Sequence, residues 1–170
     1  MIAFLIVYVL LVVLIHVTAV CLLDGKDVLI APKERWLYYV LQFTWGLPMN
    51  IIGFICAAVL SLYKRPRMEK WHLVFELPVD FGLNLGLIVI VPNRPARHII
   101  NHEIGHAIQN IYFGPFTIAV VAIPSVVRYW MRRWQRSRGI ELTPYDAIWF
   151  EGQATISGHC FINPDSREEL

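Results

Sequence analysis

Long apolar runs, each ending in charge or at proline, set the layout of this chain. Residues 2–23 (IAFLIVYVLLVVLIHVTAVCLL) carry no formal charge and reach the roughly 20 residues that a membrane-spanning helix requires. No basic segment precedes the run, it is too long for the apolar part of a cleaved signal, and no Ala-x-Ala site closes it, so it reads as an anchor. A polar stretch from Asp24 to Arg35 leads to a second run, Trp36 to Tyr63, in which Pro48 is expected to kink the helix or split it into halves. Trp36, Tyr38, Tyr39 and Tyr63 near its ends suit an aromatic belt. The run stops at KRPRMEK, residues 64–70. The positive-inside rule puts that cluster in the cytoplasm, so the first two helices form a transmembrane hairpin with the N-terminus inside.

Beyond residue 70 the pattern changes. Apolar, β-branched residues at 83–91, with Gly82 and Gly86 and a stop at PNRP, predict one strand, and a further strand is expected at 72–77. A helix is predicted from about Ala96 to Phe113, ending at Gly114-Pro115. The apolar stretch Phe116 to Trp130 then runs into RRWQRSR. Thr143-Pro144 reads as an N-cap with proline at the first helical position, starting a helix that continues to about Ser157 and stops at Gly158. The 170 residues suit a single membrane-embedded domain, with a hairpin and basic loop over 1–70 and a core over 71–170. The expected class is a mostly α integral membrane protein with a small β element.

Composition agrees with a bilayer. Apolar residues make up 56% of the chain and charged ones 16%, against roughly 45–50% and 25% in soluble domains. The net charge is only +2, with basic residues in short clusters beside apolar runs, so nothing points to nucleic acid. Cys21, Cys56 and Cys160 have no CxxC spacing and read as small buried side chains.

The chemistry lies in HEIGH at residues 102–106. Histidines four apart on a helix share one face, as two ligands of a tetrahedral zinc ion must. Glu103, beside the first ligand, reaches a water at the metal without taking a metal site and serves as the catalytic base. The helix is otherwise apolar, yet His98, His102, His106 and Gln109 fall on one stripe. Buried polar groups are costly unless paired or bound to metal. The sequence WFEGQATISG, residues 149–158, supplies a third ligand, Glu151. His159 and Tyr145 are candidates for stabilising an oxyanion. His16 reads as an interhelical hydrogen-bonding group and His72 as a surface residue.

HExxH followed downstream by Glu-x-x-Ala and a glycine resembles the gluzincin metallopeptidases, most closely the membrane-embedded branch with the CaaX prenyl protease and the bacterial heat-shock membrane protease. Glu151, Ala154 and Gly158 match that pattern. The stretch NHEIGHAIQNIYFGPF, with the later Pro-Ser pair and glutamate helix, is also similar to a family of small uncharacterised bacterial membrane proteins over about residues 82–160. The resemblance implies a zinc ion on His102, His106 and Glu151, a peptide or membrane-protein substrate, and a substrate strand added along Asn84 to Val91. One departure stands out: Thr155 occupies the place of the aspartate that orients a ligand histidine in the family, which implies weaker support for that histidine. Asn163-Pro164-Asp165 resembles the ligand segment of site-2-type proteases and makes Asp165 the alternative third ligand.

The expected function is zinc-dependent peptide hydrolysis at a cell membrane. The alternatives are a non-catalytic scaffold or immunity-type protein with a structural zinc site, or a hydrolase of a non-peptide amide. Arginines flank residues 98–127 on both sides, which predicts a re-entrant hairpin, a cytoplasm-facing active site and an internal C-terminus.

Overall fold

A computed structural model describes residues 2–22 and 28–164, with the side chains of residues 19–22 outside the description. The Cys21 side chain and Asp165 therefore lie outside the described residues. Helices α1 (Ile2–Leu22), α2 (Arg35–Phe43) and α3 (Leu47–Leu60) precede four strands, β1 (Arg67–Glu69), β2 (His72–Leu77), β3 (Leu83–Leu85) and β4 (Ile88–Pro92). Helices α4 (Arg97–Phe113), α5 (Ile123–Ser137) and α6 (Trp149–Ile162) follow, with a π-helical stretch at Ile118–Ala122 and a 3-10 turn at Tyr145–Ala147. The molecule is mostly helical with a small mixed sheet. Among the described residues no single helix is long and apolar enough to cross a membrane. Two bent pairs reach that length and apolarity together, α2 with α3 at 92° and Arg97–Phe116 with Ile118–Ser137 at 117°.

The second apolar run is split rather than kinked. Pro48 falls in the first turn of α3, where its missing N–H costs no hydrogen bond. Side-chain amides satisfy the carbonyls of the elbow. Asn50 Nδ2 donates to the Gln42 and Gly46 carbonyls, and Asn110 Nδ2 donates to the Gly46 carbonyl and to Gln42 Oε1. Gln42 Nε2 in turn donates to the Ala107 carbonyl at 2.8 Å, which fastens the elbow to α4.

The strands run in the order β1-β2-β4-β3, with β2 and β4 parallel and the outer pairs antiparallel. The expected single strand over 83–91 is in fact two. The chain folds back after Leu85, which pairs with Ile88, and Gly86 takes the turn at φ +70°. Asn50 Oδ1 accepts from the Leu87 N–H at 2.8 Å and holds this turn against α3. A continuous apolar run hid the break, because two short buried strands and one long strand share that pattern. Alternating residues of β4 face opposite layers: Val89 and Val91 pack with Ile100, Ile104 and Ile108 of α4, while Ile88 and Ile90 pack with Phe75 and Ala57. The basic segment expected to be a loop contributes β1, whose Glu69 pairs with Arg97 at 3.0 Å.

His72 corrects a second expectation. It is fully buried, with Nε2 2.8 Å from the Tyr38 hydroxyl, because β2 is an inner strand whose side chain here faces α2. Burial pushes its imidazole down to about 3, so it is a neutral core group.

The last helix begins later than predicted. Thr143 and Pro144 do not cap it, because Arg132 and Arg128 of α5 bind their carbonyls at 2.6 Å and 3.0 Å and hold the segment extended. Helix α6 starts at Trp149 and continues past Gly158, which is interior and not a stop. Its glycine has a different reason. A β-carbon on Gly158 would lie 1.8 Å from the Asn101 carbonyl oxygen, and one on Gly105 would lie 1.8 Å from that of Ala154. Helices α4 and α6 therefore cross backbone to backbone, as small residues permit. Helix α1 packs across this end of the molecule, with Tyr8 stacked on Phe116 at 5.2 Å and His16 edge-on to Trp149 at 5.9 Å.

Overpacking a core generally costs about 1–3 kcal/mol, and here the obstacle is backbone, which cannot rotate away. Gly158→Ala and Gly105→Ala are each expected to lower stability by about 3 kcal/mol or more. Denaturant titration in detergent measures this, and unchanged midpoints would contradict the close crossing.

Candidate metal centre

The helix crossing brings together the residues that the sequence marks out. His102 and His106 project from the face of α4 opposite its isoleucine stripe, and Glu151 faces them from the first turn of α6. Glu151 Oε2 lies 3.0 Å from His102 Nε2 and 3.3 Å from His106 Nε2. The rings stand at 88° with centroids 4.7 Å apart. One donor atom from each residue lies within 4.8 Å of the others, a spacing compatible with a shared metal ion. Glu151 is fully buried and both imidazoles nearly so.

The hydrogen bonds behind the ligands decide what these atoms present to one another. Gln109 Nε2 donates to the Phe150 carbonyl at 2.7 Å, which can only accept, so Gln109 Oε1 must be the atom facing His106 Nδ1 at 2.8 Å. Nδ1 of His106 therefore carries a ring proton, and Nε2 faces Glu151 Oε2 at 3.3 Å. Burial alone would raise the Glu151 carboxyl, but the two facing imidazoles outweigh it and hold the group well below the usual carboxylate range. Glu151 Oε1 is buried without a hydrogen-bond partner among the described residues. A buried carboxylate facing two imidazole nitrogens needs positive charge beside it, from ring protons or from a metal ion. The residues present fit a metal ion.

Glu103 stands beside this group and outside it. Its carboxylate is buried and lies over the backbone at the start of β3, where a β-carbon on Gly82 would come 2.1 Å from Oε1. Glycine at 82 leaves the carboxylate its position. The outer edge of β3 is open in the sheet order. The substrate edge expected over Asn84 to Val91 is therefore narrower, because β4 is enclosed between β2 and β3, and within that part of the sheet the open edge belongs to β3.

The other candidates separate. Tyr145 reaches the site, its ring centroid 5.8 Å from that of His102. Partial burial and the negative charge of Glu151 push its phenol above the usual range, so it keeps its proton. His159 is not part of the His102, His106 and Glu151 group. It lies two turns further along α6 and, with His98, Asn101, Thr155 and Ile156, lines a cavity of about 180 Å³. Thr155 does contact one of the two histidines, with Oγ1 2.8 Å from His102 Nδ1. Behind Thr155 stands Asp146, whose Oδ1 accepts from the hydroxyl at 3.1 Å. Sequence reasoning missed Asp146 and Gln153, which accepts from Gln109 at 3.2 Å. Gln109 was visible on the histidine stripe, whereas no spacing rule points from Asp146 to His102.

Comparison with protein-family models, with curated proteins and with solved structures gives no match to this chain.

Proposed function

We propose that this chain is a zinc-dependent membrane metallopeptidase. The observation that carries the proposal is the convergence of His102, His106 and Glu151 within 4.8 Å, with the buried Glu103 adjacent but uncommitted. Two nitrogens and one carboxylate oxygen are a zinc donor set, and three protein ligands leave a position for reaction, whereas structural sites usually have four. When bound, zinc supplies Lewis acidity toward a water and a substrate carbonyl. Glu103 then accepts the water proton at its carboxylate and passes it to the leaving amine nitrogen. Tyr145, held protonated beside His102, donates a hydrogen bond to the oxygen that gains charge. An extended peptide along the free edge of β3 passes Gly82 and so comes over Glu103.

A bilayer setting is part of the proposal. Nearly all the described apolar side chains of α1 face outward. Helix α5 carries Ile123, Val126, Val127, Trp130, Met131 and Trp134 on one exposed stripe, with Arg128, Arg132, Arg133 and Arg136 beside it and no acidic residue. An apolar stripe rich in tryptophan with flanking arginines suits a helix lying in the interface of an anionic leaflet. We propose that α5 lies on the cytoplasmic leaflet and that the active site faces the cytoplasm.

Purified protein is expected to hold zinc in a one-to-one ratio, measured by elemental analysis. His102→Ala, His106→Ala and Glu151→Ala should lose it, while Glu103→Gln keeps it and loses at least ~100-fold in peptide hydrolysis. Full zinc occupancy in Glu151→Ala would overturn the third-ligand assignment. For topology, Ser137→Cys in a background lacking Cys21, Cys56 and Cys160 should resist a membrane-impermeant thiol reagent in intact cells and react after permeabilisation. Labelling from outside would overturn the cytoplasmic placement.

A further inference from the structure

We propose that Asp146 is a positioning residue for the metal site, acting through the Thr155 hydroxyl to fix the His102 tautomer that leaves Nε2 free for metal. The inference rests on the reading of His102 as a ligand. It follows from counting protons along the chain of contacts. Thr155 Oγ1 lies 2.8 Å from His102 Nδ1 and 3.1 Å from Asp146 Oδ1. A hydroxyl has one proton to give, and an ionised carboxylate can only accept. The proton therefore points to Asp146, and Oγ1 meets Nδ1 with a lone pair. Nδ1 must then be the ring nitrogen that carries hydrogen. Nε2, which faces Glu151 Oε2 at 3.0 Å, is then the nitrogen that the neutral ring would offer to a metal ion.

Without the carboxylate, the hydroxyl is free to turn and donate to Nδ1. The ring proton would then sit on Nε2, where it blocks coordination. Threonine alone is ambiguous as a partner for histidine, and Asp146 removes the ambiguity. The charge that the family pattern places at position 155 is thus supplied here from a separate segment, the 3-10 turn that precedes α6. That turn is held from outside by α5. Arg128 donates to the carbonyls of Pro144 at 3.0 Å and Tyr145 at 2.9 Å, and Arg132 donates to that of Thr143 at 2.6 Å. Both guanidinium groups also lie over the Tyr145 ring, at 5.8 Å and 5.3 Å from its centroid. The sequence read Thr155 as weakened support for the ligand; the geometry points to support restored in two steps.

The test is zinc affinity of the full chain in detergent, measured by competition with a chromogenic chelator, which needs no turnover. Partners behind a metal-ligating histidine are commonly worth 10–100-fold in affinity. Asp146→Ala and Thr155→Val are each expected to weaken zinc by about that factor, and the double variant by no more than either alone. Thr155→Asp placed in the Asp146→Ala chain is expected to restore affinity, because a carboxylate then meets Nδ1 directly. That rescue separates a relay from a merely structural turn, whose loss no change at position 155 would mend. Wild-type affinity in Asp146→Ala, additive losses in the double variant, or failure of the rescue would each overturn the relay. Failure of the underlying reading looks different: wild type without zinc, or His102→Ala binding it as tightly as wild type, would overturn both.

Discussion

Carbonyl oxygens of Ala154 and Asn101 occupy the places where β-carbons on Gly105 and Gly158 would have to go, and the rest of the site depends on that closeness. An imidazole and a short carboxylate reach only a few ångströms from their helices. With ordinary side chains at the crossing, α4 and α6 would stand further apart, and Glu151 would no longer fall 3.0 Å and 3.3 Å from the two histidines. The crossing also explains the burial of the donors. Helices in backbone contact shield the polar groups on their facing sides from solvent.

Hydrogen bonds run in two directions from the same centre. Toward the elbow side, His106 leans on Gln109, and Gln109 on the Phe150 carbonyl and Gln153. Toward the 3-10 turn, His102 leans on Thr155, and Thr155 on Asp146. The Phe150 carbonyl and the Asp146 carboxylate can only accept, which orients the Gln109 amide and the Thr155 hydroxyl behind the histidines. A second amide network, Gln42 with Asn50 and Asn110, serves the scaffold instead of the site. It lets α2 and α3 meet at 92° and, through Asn50, holds the β3–β4 turn. That turn fixes where β3 begins, and hence the spot where Gly82 lies against Glu103.

Much of this was legible in the chain where the signal is local. The spacing of His102 and His106, the end of α4 at Gly114-Pro115 and the strand at 72–77 all rest on neighbours within a few positions, and the structure has each of them. Glu151 was found by a motif on a distant helix, and the crossing brings it to the histidines. Local signals failed where the deciding partner is remote. Gly86 turns the chain where Asn50, 37 residues before Leu87, receives the Leu87 N–H. Thr143-Pro144 has the composition of a helix cap, but arginines from α5 take its carbonyls. His72 was read as a surface residue, whereas it is buried against Tyr38 of α2, 34 residues earlier. Gly158 was read as a helix stop from its residue type alone, whereas its role is set by the backbone of another helix.

The central claim is that His102, His106 and Glu151 form one zinc site. Zinc-edge X-ray absorption of the zinc-loaded protein tests it most directly, since it reports the donor atoms themselves. The account predicts two imidazole nitrogens and carboxylate or water oxygen at about 2.0–2.2 Å, with no sulfur. A sulfur donor near 2.3 Å, or a spectrum with fewer than two imidazoles, would contradict it.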